Sequence, residues 1–369
     1  MGNETSQNVI YSDKINNDVE LTWKKVGSPF PSVGREGQAA CSLGSKVYVF
    51  GGVLPGGDEV IESNDLYLFD SETLVWETVQ TRGTQPPGRS AASLVGVGDK
   101  LYLFGGLSQN FGWFDDLFVF DTVSNSWSVV TGDGERPCAR DKLQATVVDK
   151  SIYYFGGFGP KSADEDILED DEEEEEDGAE FGWFDDLFVF NTESKKWSEP
   201  MQMNLGVPTA RAAHGMCTVG RNIVVFGGRD MESRRNDLHI FNIDSRKWNA
   251  ELKAKGREPE PRSFHTTTSV GNRVVVMGGR GIEHQHFADV HIFDTDSNEW
   301  LQPKIDGDLP SGRGQHSVVL AGDRIVLFGG SGSFNPEIMQ CTKHFTDTYI
   351  LDRNDILKGS SISSNGTTS

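Results

Sequence analysis

The chain of 369 residues carries 56 acidic and 34 basic side chains, which gives a formal net charge of −22. Such an excess of negative charge repels a phosphate backbone, and it argues against general nucleic-acid binding. The sequence shows no secretory signal and no apolar run long enough to span a membrane, and its four cysteines are scattered singly. We therefore expect a reduced cytoplasmic or nuclear protein without stable membrane insertion.

The first predicted element is a short strand that follows a polar leader. Residues 1–18 are predicted to be disordered, although their start formally matches the N-myristoylation pattern. No basic cluster follows to supply the second signal that stable anchoring needs, so an ordinary leader is the alternative. The strand itself reads VELTWKKV (Val19–Val26) and contains a tryptophan.

A strand that ends in a glycine pair then recurs six times along the chain. The six copies are VYVFGG, LYLFGG, IYYFGG, IVVFGG, VVVMGG and IVLFGG, beginning at Val47, Leu101, Ile152, Ile223, Val274 and Ile325. Their first glycines lie 51 to 54 residues apart, except for one step of 71. A period near 50 residues indicates a repeat architecture in which neighbouring units share their cores.

Each repeat carries further landmarks at fixed positions. An arginine stands sixteen residues before every glycine pair, at Arg35, Arg89, Arg140, Arg211, Arg262 and Arg313. A strand with a polar start follows the pair, and a tryptophan strand ends five of the repeats, at Trp76, Trp127, Trp197, Trp248 and Trp300. The sixth repeat lacks this last strand. We predict that Val19–Val26 supplies it and closes the ring, which removes exposed sheet edges.

These motifs resemble the kelch repeat, and the resemblance covers roughly Val19 to Asp352. It implies an all-β fold, a six-bladed kelch β-propeller with four strands per blade, closed by the N-terminal strand. We assign the propeller to residues 19–356 and a flexible tail to residues 357–369. In blade three, residues 161–180 form an acidic insert, predicted to be disordered because like charges at this density repel. This insert could attract basic partners or gate the face from which it emerges. The alternative is a tolerated expansion of a surface loop.

A candidate anion site lies among the loops that a propeller places on one face. Arg229 and Arg280 follow their glycine pairs directly, Arg234 and Arg235 lie in the loop after Arg229, and Lys142 could approach from blade three. The aromatic residues predicted beside them are Phe158, Trp183 and Phe264. Guanidinium groups bind carboxylate or phosphate through paired hydrogen bonds. The alternative is that these arginines pair with aspartates at strand starts, such as Asp230 or Asp289.

A narrower resemblance supports this site. The segments at Asp141–Gly159, Gly182–Pro200, Pro208–Asn249 and Pro261–Thr266 are similar to kelch domain-containing proteins 1 and 2. Those proteins are substrate receptors of cullin–elongin ubiquitin ligases and capture C-terminal degrons that end in glycine. Carried over by motif, the terminal carboxylate would be held by Arg229, Arg234 and Ser263, with Lys142 and Trp183 at further pocket positions.

The chain departs from that group at three places. Phe158 and Phe264 stand where the group more usually has tyrosine and tryptophan, which affects the fine specificity. No elongin-binding segment is recognised after Asp352. The expected partners are therefore C-terminal peptides of other proteins and a cullin–elongin ligase whose contact is not identified.

Two other functions compete with peptide capture. The first is a general interaction scaffold for a trafficking, cytoskeletal or signalling partner, without a ligase link. The second is an enzyme, because some kelch-like propellers are copper oxidases or metal-assisted lyases. His284 and His286 have only weak metal-ligand spacing, and no nucleophile or phosphate-cradling motif is found, so we predict no catalytic residue, metal or cofactor. The recurring His214, His265 and His316 are predicted to be structural.

Overall fold

The computed structural model describes residues 16–56, 60–161, 180–202, 206–249 and 252–358, with the backbone alone for residues 16–18. Most of the predicted leader, most of the acidic insert and most of the tail lie outside these ranges; residues 16–18 of the predicted leader begin the first strand. Within them, no helix is both long enough and apolar enough to cross a membrane.

The first strand that the structure describes belongs to the sheet of the last blade, and the strands of blade one follow it along the chain. The strands are β1 (Asn16–Lys25), β2 (Ala39–Leu43), β3 (Lys46–Phe50), β4 (Val53–Leu54), β5 (Ile61–Glu62), β6 (Leu66–Asp70) and β7 (Val75–Thr78). Blade one is the antiparallel sheet β2-β3-β6-β7, and β4 and β5 form a separate small hairpin between its second and third strands.

Blades two and three repeat this plan. Their strands are β8 (Arg82–Gly83), β9 (Ser93–Val97), β10 (Lys100–Phe104), β11 (Leu107–Ser108), β12 (Gly112–Trp113), β13 (Leu117–Asp121), β14 (Ser126–Val129), β15 (Gln144–Val148), β16 (Ser151–Phe155), β17 (Phe158–Pro160), β18 (Phe181–Trp183), β19 (Leu187–Asn191) and β20 (Lys196–Ser198). The sheets are β8-β14-β13-β10-β9 and β15-β16-β19-β20, and the hairpins are β11-β12 and β17-β18.

Blades four and five differ in their hairpins. Their strands are β21 (Gly215–Val219), β22 (Asn222–Arg229), β23 (Arg234–Asn242), β24 (Lys247–Trp248), β25 (Lys255–Gly256), β26 (Thr266–Val270), β27 (Arg273–Met277), β28 (Val290–Asp294) and β29 (Glu299–Leu301). In blade four the hairpin is continuous with the sheet, because β22 and β23 pair from Asn222 through Arg229 with one irregularity. The sheets are β21-β22-β23-β24 and β25-β29-β28-β27-β26.

Blade six contains the closure. Its elements are β30 (Pro303–Gly307), β31 (Ser317–Ala321), β32 (Arg324–Phe328), β33 (Ser331–Asn335), β34 (Gln340–His344), β35 (Thr348–Asp352) and the short helix α1 (Arg353–Leu357). The sheet order is β30-β1-β35-β32-β31, so the N-terminal strand supplies the fourth strand of the last blade and lies between β35 and β30. The predicted six blades, four strands per blade and N-terminal closure are confirmed.

The arginine and the glycine pair of each repeat connect consecutive blades. In every blade the arginine side chain donates to the carbonyl of its own first glycine, as from Arg140 to Gly156 at 3.2 Å. Its backbone carbonyl accepts the N–H of the second glycine of the preceding blade, as from Gly106 at 2.9 Å. Both glycines have positive φ, and a Cβ on Gly156 would lie 2.6 Å from the Arg211 oxygen.

The tryptophans pack between neighbouring blades. Trp127, for example, contacts Phe120 of its own third strand and Phe50 of the preceding blade, with ring centroids 5.0 and 5.4 Å apart. Trp197, Trp248 and Trp300 pack against the preceding blade in the same manner. These buried aromatic contacts make every blade interface part of the hydrophobic core.

Candidate functional site

A closed ring of backbone hydrogen bonds surrounds the mouth of the central channel. One residue per blade, two positions after each blade arginine, donates its N–H to the equivalent carbonyl of the preceding blade at 2.7 to 3.0 Å; the six are Gly37, Ala91, Lys142, Ala213, Phe264 and Gln315. All six have φ between 53° and 64°. The ring therefore fixes Lys142 and Phe264 at the rim of a channel of about 570 Å³.

Three arginines of blades four and five lie together beside this ring, and we call them the arginine cluster: Arg229, Arg234 and Arg280. Arg229 and Arg234 are register partners in the β22–β23 hairpin. Arg280 forms two backbone hydrogen bonds with Ser263, at 2.7 and 3.0 Å, and the side chain of Arg234 donates from Nε to Ser263 Oγ at 2.9 Å. Ser263 thus connects the arginines of the two blades.

The arginine cluster has no acidic partner within ion-pair distance among the described residues. Arg234 is 8 % exposed, and its Nη2 is buried without a hydrogen-bond partner in the part of the chain that the structure describes; the same holds for Nε of Arg280. Burial, with the charges of Arg280 and Arg229, lowers the pKa of Arg234 to about 10. At neutral pH all three guanidinium groups remain charged, so the cluster is an unneutralised cationic site.

The two histidines of the β27–β28 loop do not add to this charge. Burial and the neighbouring Arg280 and Arg234 lower the pKa of His286 to about 4. The pKa of His284 is also lowered, first by burial and then by the three arginines. Its ring stacks on Phe334 at 4.6 Å. Among the described residues, no group of three or more histidine, cysteine, aspartate or glutamate side chains is placed to hold a metal ion.

A second group, on blades two and three, is aromatic. Phe158 and Trp183 are paired across the β17–β18 hairpin with ring centroids 5.1 Å apart, and Trp113 lies 6.3 Å from Phe158. Lys142 forms an ion pair with Asp141 and approaches the Phe158 ring at 5.9 Å. Burial raises the pKa of Asp141, and the charge of Lys142 opposes this shift. An apolar wall therefore begins on blade three, next to the blade that carries Arg229 and Arg234.

The structure places the eight predicted site residues in two groups on this face. One group contains Arg229, Arg234, Ser263, Arg280 and Phe264, with the Arg280 guanidinium 5.8 Å from the Phe264 ring; the other contains Lys142, Phe158 and Trp183. The alternative pairing with Asp230 or Asp289 is correct for Arg235 and wrong for Arg229, Arg234 and Arg280. Asp230 pairs with Arg235, and Asp289 pairs with Arg262.

Two aromatic residues beside the site are not among the predicted site residues. Trp113 stands in the repeated FGWFDDLFVF segment, which places it in the loops of this face, and it joins the aromatic wall from blade two. Phe334 lies 4.3 Å from the Arg280 guanidinium. No sequence signal marks Phe334, because it reaches Arg280 through the packing of the blade-six hairpin against blade five.

The recurring histidines lie between blades rather than in the site. His214, His265 and His316 are buried, and a Cβ on the first glycine of the preceding blade would meet each ring at 2.9 to 3.0 Å. Burial lowers the pKa of all three. Their packing agrees with the predicted structural role.

Comparison with known proteins places this geometry in context. The family model of the KLHDC2/KLHL20/DRC7 Kelch-repeats domain matches residues 37–175 and 172–356. Kelch domain-containing protein 1 of Mus musculus is 31 % identical over 80 % of this chain and 75 % of its own length. Kelch domain-containing protein 2 of Bos taurus is 32 % identical over 73 % of this chain and 68 % of its own. Acyl-CoA-binding domain-containing protein 4 of Arabidopsis thaliana is 29 % identical over 73 % of this chain but 39 % of its own length.

Proposed function

The chain belongs to the kelch-repeat family, and from that premise we propose that it captures the C-terminal carboxylates of other proteins in the arginine cluster. The six-bladed kelch propeller is typical of non-enzymatic, protein-binding scaffolds. The resemblance to kelch domain-containing proteins 1 and 2 extends the proposal to glycine-ended degrons and to a role as substrate receptor of a ubiquitin ligase.

The observation that carries the proposal is the unpaired state of the arginine cluster. A buried guanidinium without an anion is costly, because its donors lose water and gain no protein acceptor. Arg234 is oriented by Ser263 and still has a buried Nη2 without a partner in the described residues. A carboxylate between Arg229 and Arg234 would accept charge-assisted hydrogen bonds from both side chains. Such a site remains cationic until an anionic ligand arrives.

The surroundings favour a peptide over a free small anion. Phe264 at the channel rim and the wall of Phe158, Trp183 and Trp113 offer apolar surface on the same face as the arginine cluster. A peptide that places its terminal carboxylate at Arg234 can lay preceding residues against these rings. Phe158 has no hydroxyl, so its own contacts with a peptide would be apolar.

Peptide binding with a free and a blocked C-terminus tests the proposal. Fluorescence polarisation is measured for a library of short peptides ending in glycine, each as free acid and as amide. We expect binding only by the free acids, and at least about tenfold weaker binding in Arg229→Ala and in Arg234→Ala. Arg235→Ala is the matched control, since Arg235 lies in the same hairpin but already pairs with Asp230 and Glu232.

Two outcomes would reject carboxylate capture. Equal binding of acids and amides would show that the peptide body, not its terminus, is recognised. An absence of binding by every peptide would favour a scaffold that uses its rim for a different partner. Arg229 is exposed, so loss of binding in Arg229→Ala cannot be attributed to a damaged core.

A further inference from the structure

Arg280 is the member of the arginine cluster that one carboxylate does not require. Arg229 and Arg234 face each other in one hairpin and can hold a single carboxylate through its two oxygens. Arg280 belongs to the neighbouring blade and is held separately, by its backbone bonds to Ser263 and by the ring of Phe334. A terminal carboxylate bound to the first two arginines leaves this third charge unmatched.

We propose that Arg280 binds a second carboxylate, supplied by an acidic side chain in the last or the penultimate residue of the captured peptide. This inference rests on the proposed function, because it requires the terminal carboxylate to occupy Arg229 and Arg234. It assigns the chain a preference for acidic C-terminal ends, which the resemblance to receptors of glycine-ended degrons does not supply.

Positioning supports a ligand-binding role for this guanidinium. Its Cζ lies 4.3 Å from the Phe334 ring centre, and Phe334 is itself stacked on His284. A guanidinium over an aromatic ring gains a cation–π contact without using its N–H donors, so they stay available for hydrogen bonds to a carboxylate. Its Nε is buried and has no hydrogen-bond partner among the described residues, so this N–H donor is unsatisfied in the described structure.

Charge balance supports the same role. His284 and His286 stay neutral at physiological pH because their pKa values are lowered. Burial lowers the pKa of Arg280, and the neighbouring Cys341 and Glu36 oppose this shift. The Glu36 carboxylate accepts hydrogen bonds from Gln315 and Ser331 and forms no ion pair with Arg280 among the described residues. An acidic residue beside the terminal carboxylate would therefore give Arg280 the ion-pair partner that a single carboxylate between Arg229 and Arg234 does not provide.

Distance along a peptide also fits. Arg234 and Arg280 both contact Ser263, one through its hydroxyl and the other through its backbone. The Arg234 guanidinium and the Arg280 backbone are thus held by one residue, and the charge of Arg280 acts on Arg234. Aspartate and glutamate side chains in the last two positions of a peptide lie within a few ångströms of the terminal carboxylate. One ligand end can therefore reach both arginine side chains.

A set of matched peptides tests this inference. The peptides share one body and end in Gly-Gly, Asp-Gly, Asn-Gly, Gly-Asp or Gly-Asn, with glutamate and glutamine versions of each acidic and amide end. We expect at least one acidic end to bind about tenfold more tightly than its amide counterpart, which corresponds to about 1.4 kcal/mol. Arg280→Gln should abolish this preference, and it should weaken binding of the preferred acidic end about tenfold more than binding of the Gly-Gly peptide.

The outcomes separate the two proposals. If free-acid peptides bind but no acidic end is preferred, or if Arg280→Gln weakens all the peptides equally, Arg280 serves the terminal carboxylate and the second-carboxylate inference fails while carboxylate capture stands. If no free acid binds in preference to its amide, both proposals fail. Binding of the Gly-Gly peptide by Arg280→Gln also shows that the variant is folded.

Discussion

A single arginine performs the same structural task in each of the six blades. Five of them, Arg89, Arg140, Arg211, Arg262 and Arg313, also form an ion pair with an aspartate at the start of the third strand. In blade one, Arg35 donates to Ser32 instead and lies over the Tyr67 ring. The fixed spacing in the sequence predicts that these arginines matter. It does not reveal that they are buried beside the binding face rather than exposed on it.

Loss of one such aspartate should destabilise the protein strongly. Arg211 is fully buried and donates to both oxygens of Asp237, at 2.6 and 2.8 Å. We expect Asp237→Asn to reduce the free energy of unfolding by about 2–3 kcal/mol, because the buried guanidinium loses its countercharge. Urea denaturation measures the change. Asp115→Asn, which breaks the exposed pair with Arg136, should cost less than about 1 kcal/mol; equal losses would contradict the argument.

The interblade histidines should make stability depend on pH. Burial, followed by the charge of Arg262, lowers the pKa of His265 to about 3, whereas an unfolded chain has a histidine pKa of about 6.5. Between these values the unfolded state binds a proton that the folded state does not. Stability therefore falls as the pH decreases from about 6.5, by up to about 1.4 kcal/mol per pH unit for this histidine.

Gln38 occupies the position in blade one that His265 occupies in blade five, and it suggests a variant that tests this pH dependence. Gln38 donates to the Phe328 carbonyl at 3.2 Å, as His265 contacts the Phe226 carbonyl at 3.1 Å, and glutamine does not titrate. His265→Gln should keep this contact and reduce the slope of unfolding free energy against pH between 6 and 4. Urea denaturation at several pH values measures the slope, and an unchanged slope would exclude His265 as its source.

At the scale of single elements, long-range packing sets the limit of prediction. The apolar strands before each glycine pair are readable because almost every side chain in them is buried. The two-residue strands β8 and β25, which pair in parallel with the next blade, are not predicted from the sequence. Arg82–Gly83 and Lys255–Gly256 are exposed and have no apolar pattern, and only backbone hydrogen bonds hold them in the sheet.

The candidate site, too, is only partly predictable from the sequence. Arg229 and Arg280 could be placed on one face because each directly follows a glycine pair, a position that the repeat fixes. The backbone bridges of Arg229 to Ala212 and of Arg280 to Ser263 follow from that register. The stacking of Arg280 on Phe334 could not be predicted, since it joins hairpins of two blades whose lengths and twists differ. Local periodicity thus predicts which loops meet, but not which side chains touch.

At the scale of the whole molecule, the first strand is what makes the propeller a closed ring. Val19, Leu21 and Trp23 of β1 are buried in a cluster that includes residues of blades five and six. The strand pairs with β35 on one side and, in parallel, with β30 on the other. Because β30 follows blade five directly, β1 ties the beginning of the chain to its last two blades.

Removal of the closing tryptophan should therefore destabilise the whole ring and not one blade alone. Trp23 is 1 % exposed and its ring meets Tyr349 edge-on at 6.2 Å. We expect Trp23→Ala to cost about 3–5 kcal/mol and to lower the temperature of a single unfolding transition in calorimetry. Trp183→Ala, in the partly exposed β17–β18 hairpin, is the matched control and should leave that temperature nearly unchanged. If closure by β1 couples all six blades, the variant should still unfold in one transition. A second transition at lower temperature in Trp23→Ala would show instead that blade six unfolds independently, and it would contradict this coupling.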